Sequence, residues 1–235
     1  MNSNLSLRHN HACSICAELV GKNNTLLSQL FMDEGIVSAV ARQTKNFAVI
    51  PSIGALVAGH SLVVPFSHEP NVLLYARTNG LLEELVGLLT QYTMPTRSSH
   101  LLFEHGSTSI GNSLCSTEHG HLHVVPLGTE ELTLVLAELK SRGAQPIPFS
   151  MLPKRASKER DFIYACDLKA IGGETLAYVL PAAGVPSQFL RKIIASVIGS
   201  NNWNWKIEPA KSLVKATIEQ GFELKIRKSF VAARA

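Results

Sequence analysis

Between Cys115 and Pro126 the chain reads Cys-Ser-Thr-Glu-His-Gly-His-Leu-His-Val-Val-Pro, which sets histidines at positions 119, 121 and 123. In an extended strand successive side chains point to opposite faces, so a spacing of two puts His119, His121 and His123 on one side. Leu122 and Val124 then face the other way. Val124, Val125 and the terminating Pro126 favour a strand; on a helix the three rings would be spread around the cylinder. Burying three unpaired imidazoles is costly, so the row reads as a site and not as core. A second reactive group is the pair Cys13 and Cys16. In a reducing compartment a Cys-x-x-Cys serves metal binding or redox work more than a structural disulfide. No thioredoxin-like strand precedes it, which favours zinc, with His9 and His11 nearby as poorer rival ligands. All 9 histidines fall at or before position 123, so the chemistry is placed in the first half of the chain.

The elements that must hold these residues are legible only in outline. Glu18 to Gln29 suits a short helix. Phe47 to Pro51 and Leu62 to Pro65 read as adjacent strands with a turn containing Gly54 and Gly59 between them. From Asn71 the pattern turns helical, with Leu81, Leu85, Leu88, Leu89 and Tyr92 at steps of three and four and Pro95 as the stop. Leu101 to Phe103 is a further strand, leading into the histidine strand. Thr129 to Arg142 is an amphipathic helix capped by Gly143. Ala144 to Arg160, with three prolines and four bases, reads as a loop, either a solvated connector or a lid that grips phosphate. Asp161 to Asp167 and Thr175 to Leu180 form a strand pair. Phe189, Leu190, Ile193, Ile194, Val197 and Ile198 make a helical stripe, and Pro209 to Gln220 a last helix. Strands and helices mix without regular alternation, which favours an α+β fold with a largely antiparallel sheet over a doubly wound one.

With 235 residues, 46% hydrophobic and 17% charged, the chain has an ordinary globular composition and length for a sizeable core. A net charge of +4, from 22 basic and 18 acidic residues, is too mild to argue for nucleic acid but suits an anionic small molecule. Met1 to His11 is polar and lacks the apolar core of a signal peptide, and no apolar run reaches the length of a membrane span. The expectation is a cytoplasmic protein with neither a membrane nor a nucleic-acid partner.

Three separated segments together resemble the histidine triad (HIT) family. His119-Gly120-His121-Leu122-His123-Val124-Val125 is similar to its signature. Gly59-His60-Ser61-Leu62-Val63-Val64-Pro65-Phe66-Ser67-His68 resembles its glycine-histidine strand, and Phe103-Glu104-His105-Gly106 its nucleotide-contacting turn. The match runs from about Ala12 to Pro126. It implies a HIT-like antiparallel sheet packed with helices over 1–143, with a zinc-binding N-terminus, followed by an α+β extension over 144–235 packed on it.

The resemblance also implies a reaction. Family members hydrolyse or transfer nucleoside monophosphates, adenine nucleotides by default, through a covalent nucleotidyl-imidazole on the middle histidine, here His121. An imidazole neutral near pH 7 needs no base to become a nucleophile, but its second nitrogen must donate to an acceptor that fixes the tautomer. In the family that acceptor is a backbone carbonyl of the triad strand. By the same carry-over His123 and Ser116 contact phosphate oxygens or the leaving group, His60 supports the triad, and Glu104 and Gly106 meet the nucleotide. Cysteine-bearing members hold zinc, which implies Cys13, Cys16, His68 and His119 as ligands of a closed, structural Zn2+. A homodimer is common in the family.

The chain also departs from the family pattern. Gly120 replaces a hydrophobic residue, so the strand either admits a bulkier group or is loosened. Glu104 stands where many members have asparagine. In the extension, Ser187, Gln188 and Arg191 lie near the phosphates if this half folds back as a cover, and otherwise belong to an ordinary capped helix. Hydrolysis, transfer to an acceptor other than water, and nucleotide binding without turnover on a zinc-stabilised module all remain open. An open-site zinc hydrolase would need one ligand fewer.

Overall fold

Cys13 starts the first helix by accepting the Cys16 N–H on its Sγ, and α1 (Ser14–Leu19) ends before Gly21, which takes a left-handed φ of 73°. Thr25 opens α2 (Leu26–Leu30) through a reciprocal capping box with Ser28. The single helix expected over Glu18–Gln29 is therefore two, because a left-handed glycine and a new cap lie between them. The computed structural model describes residues 12–92, 99–108, 119–156, 161–170 and 176–226.

The strands β1 (Ile36–Val40), β2 (Arg42–Gln43), β3 (Phe47–Pro51) and β4 (Ser61–Pro65) follow. The helical run after Asn71 is likewise two helices, α3 (Val72–Thr78) and α4 (Leu82–Gln91), parted by Gly80 at φ 68°. The Asn71 side chain caps the first through the Leu74 N–H at 2.7 Å. Next come β5 (Ser99–Ser107), β6 (Leu122–Leu127) and α5 (Thr129–Ser141), whose chain turns at Gly143 with φ 92°.

The stretch expected to be a loop contains β7 (Gln145–Pro148) and α6 (Leu152–Ala156). Its prolines mislead because β7 is an edge strand, where a residue without an N–H costs no ladder bond on the open side. Then come β8 (Asp161–Asp167), β9 (Leu176–Pro181), α7 (Phe189–Val197), α8 (Lys211–Ile218) and β10 (Glu223–Ile226). The fold is α+β. Eight strands form one antiparallel sheet in the order β2-β3-β4-β6-β5-β8-β9-β7, and β1 pairs with β10 in a separate ribbon. The later strands β8, β9 and β7 continue the sheet begun by the earlier ones.

Register decides which side chains share a face. Ile50 pairs with Leu62, Leu62 with His123, His123 with Phe103, and Phe103 with Ala165, a straight row across five strands. Over one end of this face Ile15 of α1 packs with Ile50 and Leu62. Over the other, Leu190, Ile193 and Ile194 of α7 join α5 against Phe103, Ile163 and Ala165. The opposite face carries Phe47, Val49, Val63, Val124 and Leu102 and meets α3 and α4. His123 thus lies on the floor between two helical walls. Among the described residues no helix is long and apolar enough to cross a membrane.

Candidate active site

The three histidines do not act as one row. Regular strand begins only at Leu122, and the lead-in passes against Asn71: the Gly120 N–H donates to the Glu69 carbonyl at 2.6 Å. A Cβ at Gly120 would lie 2.7 to 2.9 Å from the backbone N, Cα and C of Asn71. Gly120 therefore serves a backbone-to-backbone approach, which neither admits a bulkier group nor loosens the strand. Beyond it His119 turns to the cysteines, while His121 and His123 line a common cleft with ring centroids 5.0 Å apart.

Hydrogen-bond partners assign the proton on each ring. His121 Nδ1 lies 2.8 Å from the His119 carbonyl, which can only accept, so Nδ1 carries the hydrogen and Nε2 keeps its lone pair. His60 Nδ1 accepts the Leu56 N–H at 3.1 Å, so the His60 hydrogen is on Nε2. That Nε2 donates to His123 Nδ1 at 2.9 Å, and His123 must then carry its own hydrogen on Nε2. Phe103 stacks on the His123 ring at 4.2 Å and 6°, holding its plane. The arrangement is a bare nitrogen on His121 beside an N–H donor on His123.

All three rings are held below the ordinary histidine range. Burial is the main cause for His121, with the Arg191 charge adding and the bond to the His119 carbonyl opposing. Burial also dominates at His123, reinforced by His121, His60 and Arg191, and at His60, reinforced by Arg191 and His121. They are neutral near pH 7, as a nucleophilic nitrogen and its relay require.

The cleft is lined mostly by apolar side chains, as small-molecule sites commonly are. Ile15, Ile50, Leu62 and Phe103 make its apolar surface. One wall comes from the C-terminal part: Ser187, Gln188, Arg191 and Trp205 all line it. Gln188 takes a left-handed φ of 63°, costly for a residue with a Cβ, and does not cap α7. Its amide instead donates to Asn204 Oδ1 at 3.0 Å and accepts the Trp205 N–H at 3.2 Å. Arg191 donates from Nε to the Trp203 carbonyl at 2.9 Å and from Nη2 to the Gly54 carbonyl. Burial lowers Arg191 to about 10, so it stays charged at neutral pH. The segment is at once the start of a helix and a wall of the cleft.

Cys13, Cys16, His68 and His119 form a second cluster, with one ligand atom from each and all four within 4.8 Å of one another. Cys13 Sγ and Cys16 Sγ lie 3.5 and 3.4 Å from His119 Nδ1, and Cys16 Sγ lies 3.5 Å from His68 Nδ1. Around a tetrahedral ion with sulfur at about 2.3 Å and nitrogen at about 2.0 Å, adjacent sulfur and nitrogen atoms are about 3.5 Å apart. His119 Nε2 donates to the Pro65 carbonyl at 2.9 Å, which leaves Nδ1 as the lone pair facing the thiols. The donor set can hold a metal ion.

Other expected site residues lie elsewhere. Glu104 is turned to the opposite face of β5, where Oε1 accepts the Val72 N–H at 2.8 Å and Oε2 accepts the Tyr164 hydroxyl at 3.0 Å. Gly106 packs on the Asn71 side chain and Phe162. Neither lines the cleft, because in β5 it is Phe103 and His105 that share the His123 face. Of the four bases of the expected lid, Lys154 and Arg155 do not line it either, and Lys158 and Arg160 lie outside the described residues. Ser116, His9 and His11 lie outside the described residues. Two titratable lining residues, His105 and Glu18, were given no role on the sequence. The His105 Nε2 and Glu18 Oε1 have no hydrogen-bond partner among the described residues. Burial lifts Glu18 to about 8. The signal for Glu18 was its place two residues beyond the cysteine pair, and for His105 the period of two from Phe103.

No protein-family model matches the chain, and no curated protein matches it. Among solved structures its fold is similar to those of two HIT proteins. One is a HIT family protein from Bacillus anthracis str. 'Ames Ancestor', at 15% identity, over 52% of this chain and 77% of that one, with a TM-score of 0.32. The other is a Hit-like protein involved in cell-cycle regulation from Bartonella henselae, at 18% identity, over 58% and 95%, with a TM-score of 0.27. What the site does rests on its own geometry.

Proposed function

We propose that this protein is a HIT-type nucleotide phosphohydrolase that works through a nucleotidyl-His121 intermediate. The observation that carries the reading is the hydrogen bond from His121 Nδ1 to the His119 carbonyl, which leaves Nε2 as a bare nucleophile in a cleft beside a fixed N–H donor. In the first step the Nε2 lone pair forms a bond to phosphorus, and the bond from phosphorus to the leaving group breaks with its electron pair. The ring then carries a positive charge that the His119 carbonyl stabilises. The His123 Nε2–H donates to a phosphoryl oxygen, where negative charge builds. In the second step water bonds to phosphorus and releases a proton to solvent, while the nitrogen–phosphorus bond breaks with its electron pair returning to Nε2. Passing the nucleotidyl group to another acceptor shares the first step and would make the protein a nucleotidyltransferase.

The chain runs from the Leu56 N–H through His60 to His123, each neutral ring accepting one hydrogen and donating its only one, so neither has a proton to give away without becoming an anion. This favours a leaving group that needs no proton, and so a phosphoanhydride over a phosphoramidate or phosphoester. An adenine nucleotide is the first substrate to test. The metal reading is a structural Zn2+ held by Cys13, Cys16, His68 and His119. Four protein ligands close a tetrahedral ion, which would tie α1 to the chain after β4 and to the lead-in of β6.

Intact-mass analysis after mixing with a panel of nucleoside di- and polyphosphates tests the reaction. The expected adduct is one nucleoside monophosphate per chain, absent in His121→Ala. An adduct of the same size on the alanine variant would refute the assignment of the nucleophile.

A further inference from the structure

Arg191 is a cation without an anion. It is 4% exposed, and among the described residues it bonds only to the backbone carbonyls of Trp203 and Gly54. Two of its five N–H donors are thereby used. Buried charges are ordinarily answered by an opposite charge, and no acidic side chain of the described residues pairs with this one. The surrounding chain nonetheless holds it firmly. Gln188, one turn earlier, keeps its left-handed backbone and spends its amide on Asn204 and Trp205. Trp205 packs so closely on Gly54 that a Cβ there would collide with it. The side chain held in this way lines the cleft together with His121 and His123, and its charge is felt by both rings.

We propose that Arg191 binds the phosphate oxygens of the ligand at His121, so that the C-terminal segment supplies the cation of the site. The inference rests on the reading that a phosphate group sits at His121. A guanidinium suits the task because its remaining N–H groups diverge in one plane and match two oxygens of a phosphate. It also gives the cover a function: without that segment the described part of the cleft offers neutral imidazoles and no permanent positive charge.

A structural clamp and an anion site are separated by comparing a nucleoside 5′-monophosphate with its own nucleoside. Calorimetric titrations with AMP and adenosine, and with the guanine, cytosine and uracil pairs, are run on the unaltered chain and on Arg191→Gln, which keeps N–H donors for the two carbonyls but not the charge. The variant is expected to bind the monophosphate about 10- to 100-fold more weakly, the loss of a charged hydrogen-bonded contact, with nucleoside binding changed less than about twofold. Equal losses for both ligands, or no loss for the monophosphate, would overturn the assignment. Should Arg191→Gln fail to fold, Arg191→Lys decides the question. It keeps the charge without serving both carbonyls, so an anion site retains the preference for the monophosphate and a clamp loses both ligands alike. An unaltered chain that binds no monophosphate better than its nucleoside sinks the phosphate reading and Arg191 with it, whereas normal preference with equal losses in the variant sinks Arg191 alone.

Discussion

Replacing Glu104 by glutamine will change how stability depends on pH, and the size of the change follows from where this carboxyl sits. Burial pushes it from 4.5 to about 7, against the bonds from the Val72 N–H and the Tyr164 hydroxyl, which favour the charged form. The folded chain therefore holds a proton on Glu104 that the unfolded chain has released once the pH passes 4.5. A raised acid contributes its stability in full below the unfolded value and loses it as pH rises to the folded one. A difference of about 2.5 units corresponds to on the order of 3 kcal/mol, lost between about pH 4.5 and 7. In Glu104→Gln the side-chain oxygen still accepts from Val72 and the amide can donate to the Tyr164 oxygen, but nothing titrates. Denaturant unfolding of both chains at intervals across that window is the assay, and the difference between the curves cancels the groups they share. The variant should gain on the original chain by that amount from the acid end to the neutral end. Parallel curves would refute the burial argument and leave Glu104 ionised throughout.

Gly120→Ala brings a Cβ to 2.7 to 2.9 Å from the Asn71 backbone, and it should destabilise the chain by about 1–3 kcal/mol and reduce adduct formation at His121; full stability in denaturant would contradict the close approach. His60→Asn removes the donor that orients His123, and nucleotidyl transfer to His121 should slow by about 10- to 100-fold, the cost of one unsatisfied buried hydrogen bond, as measured by single-turnover mass spectrometry. Elemental analysis of the parent should find one metal ion per chain, and Cys13→Ser with Cys16→Ser should lose it, with a lower unfolding midpoint. A parent without metal ends that reading.

Some of the molecule was legible in its sequence for local reasons. The β3 and β4 strands show as apolar runs, and α5 and α7 show as stripes with glycines where they end. The split helices were missed because their apolar period runs on past Gly21 and Gly80, so only the backbone conformation reports the break. The edge strand β7 was missed because its prolines are harmless there, and edge position is a property of the sheet. Glu104 was placed on the ligand by analogy with a turn, yet its strand turns it to the far face.

By itself the sequence set His119, His121 and His123 on one side, which holds for His121 and His123 and fails for His119, because regular strand begins only at Leu122. Only the tertiary structure decided which nitrogen of each ring carries hydrogen, because the partners are a carbonyl two residues back and a histidine 63 positions away. It also decided that Arg191 stands beside the triad. Local propensity acts over a turn of helix or a pair of residues, whereas burial, proton position and the company of charges are set by register and packing between segments far apart in the chain.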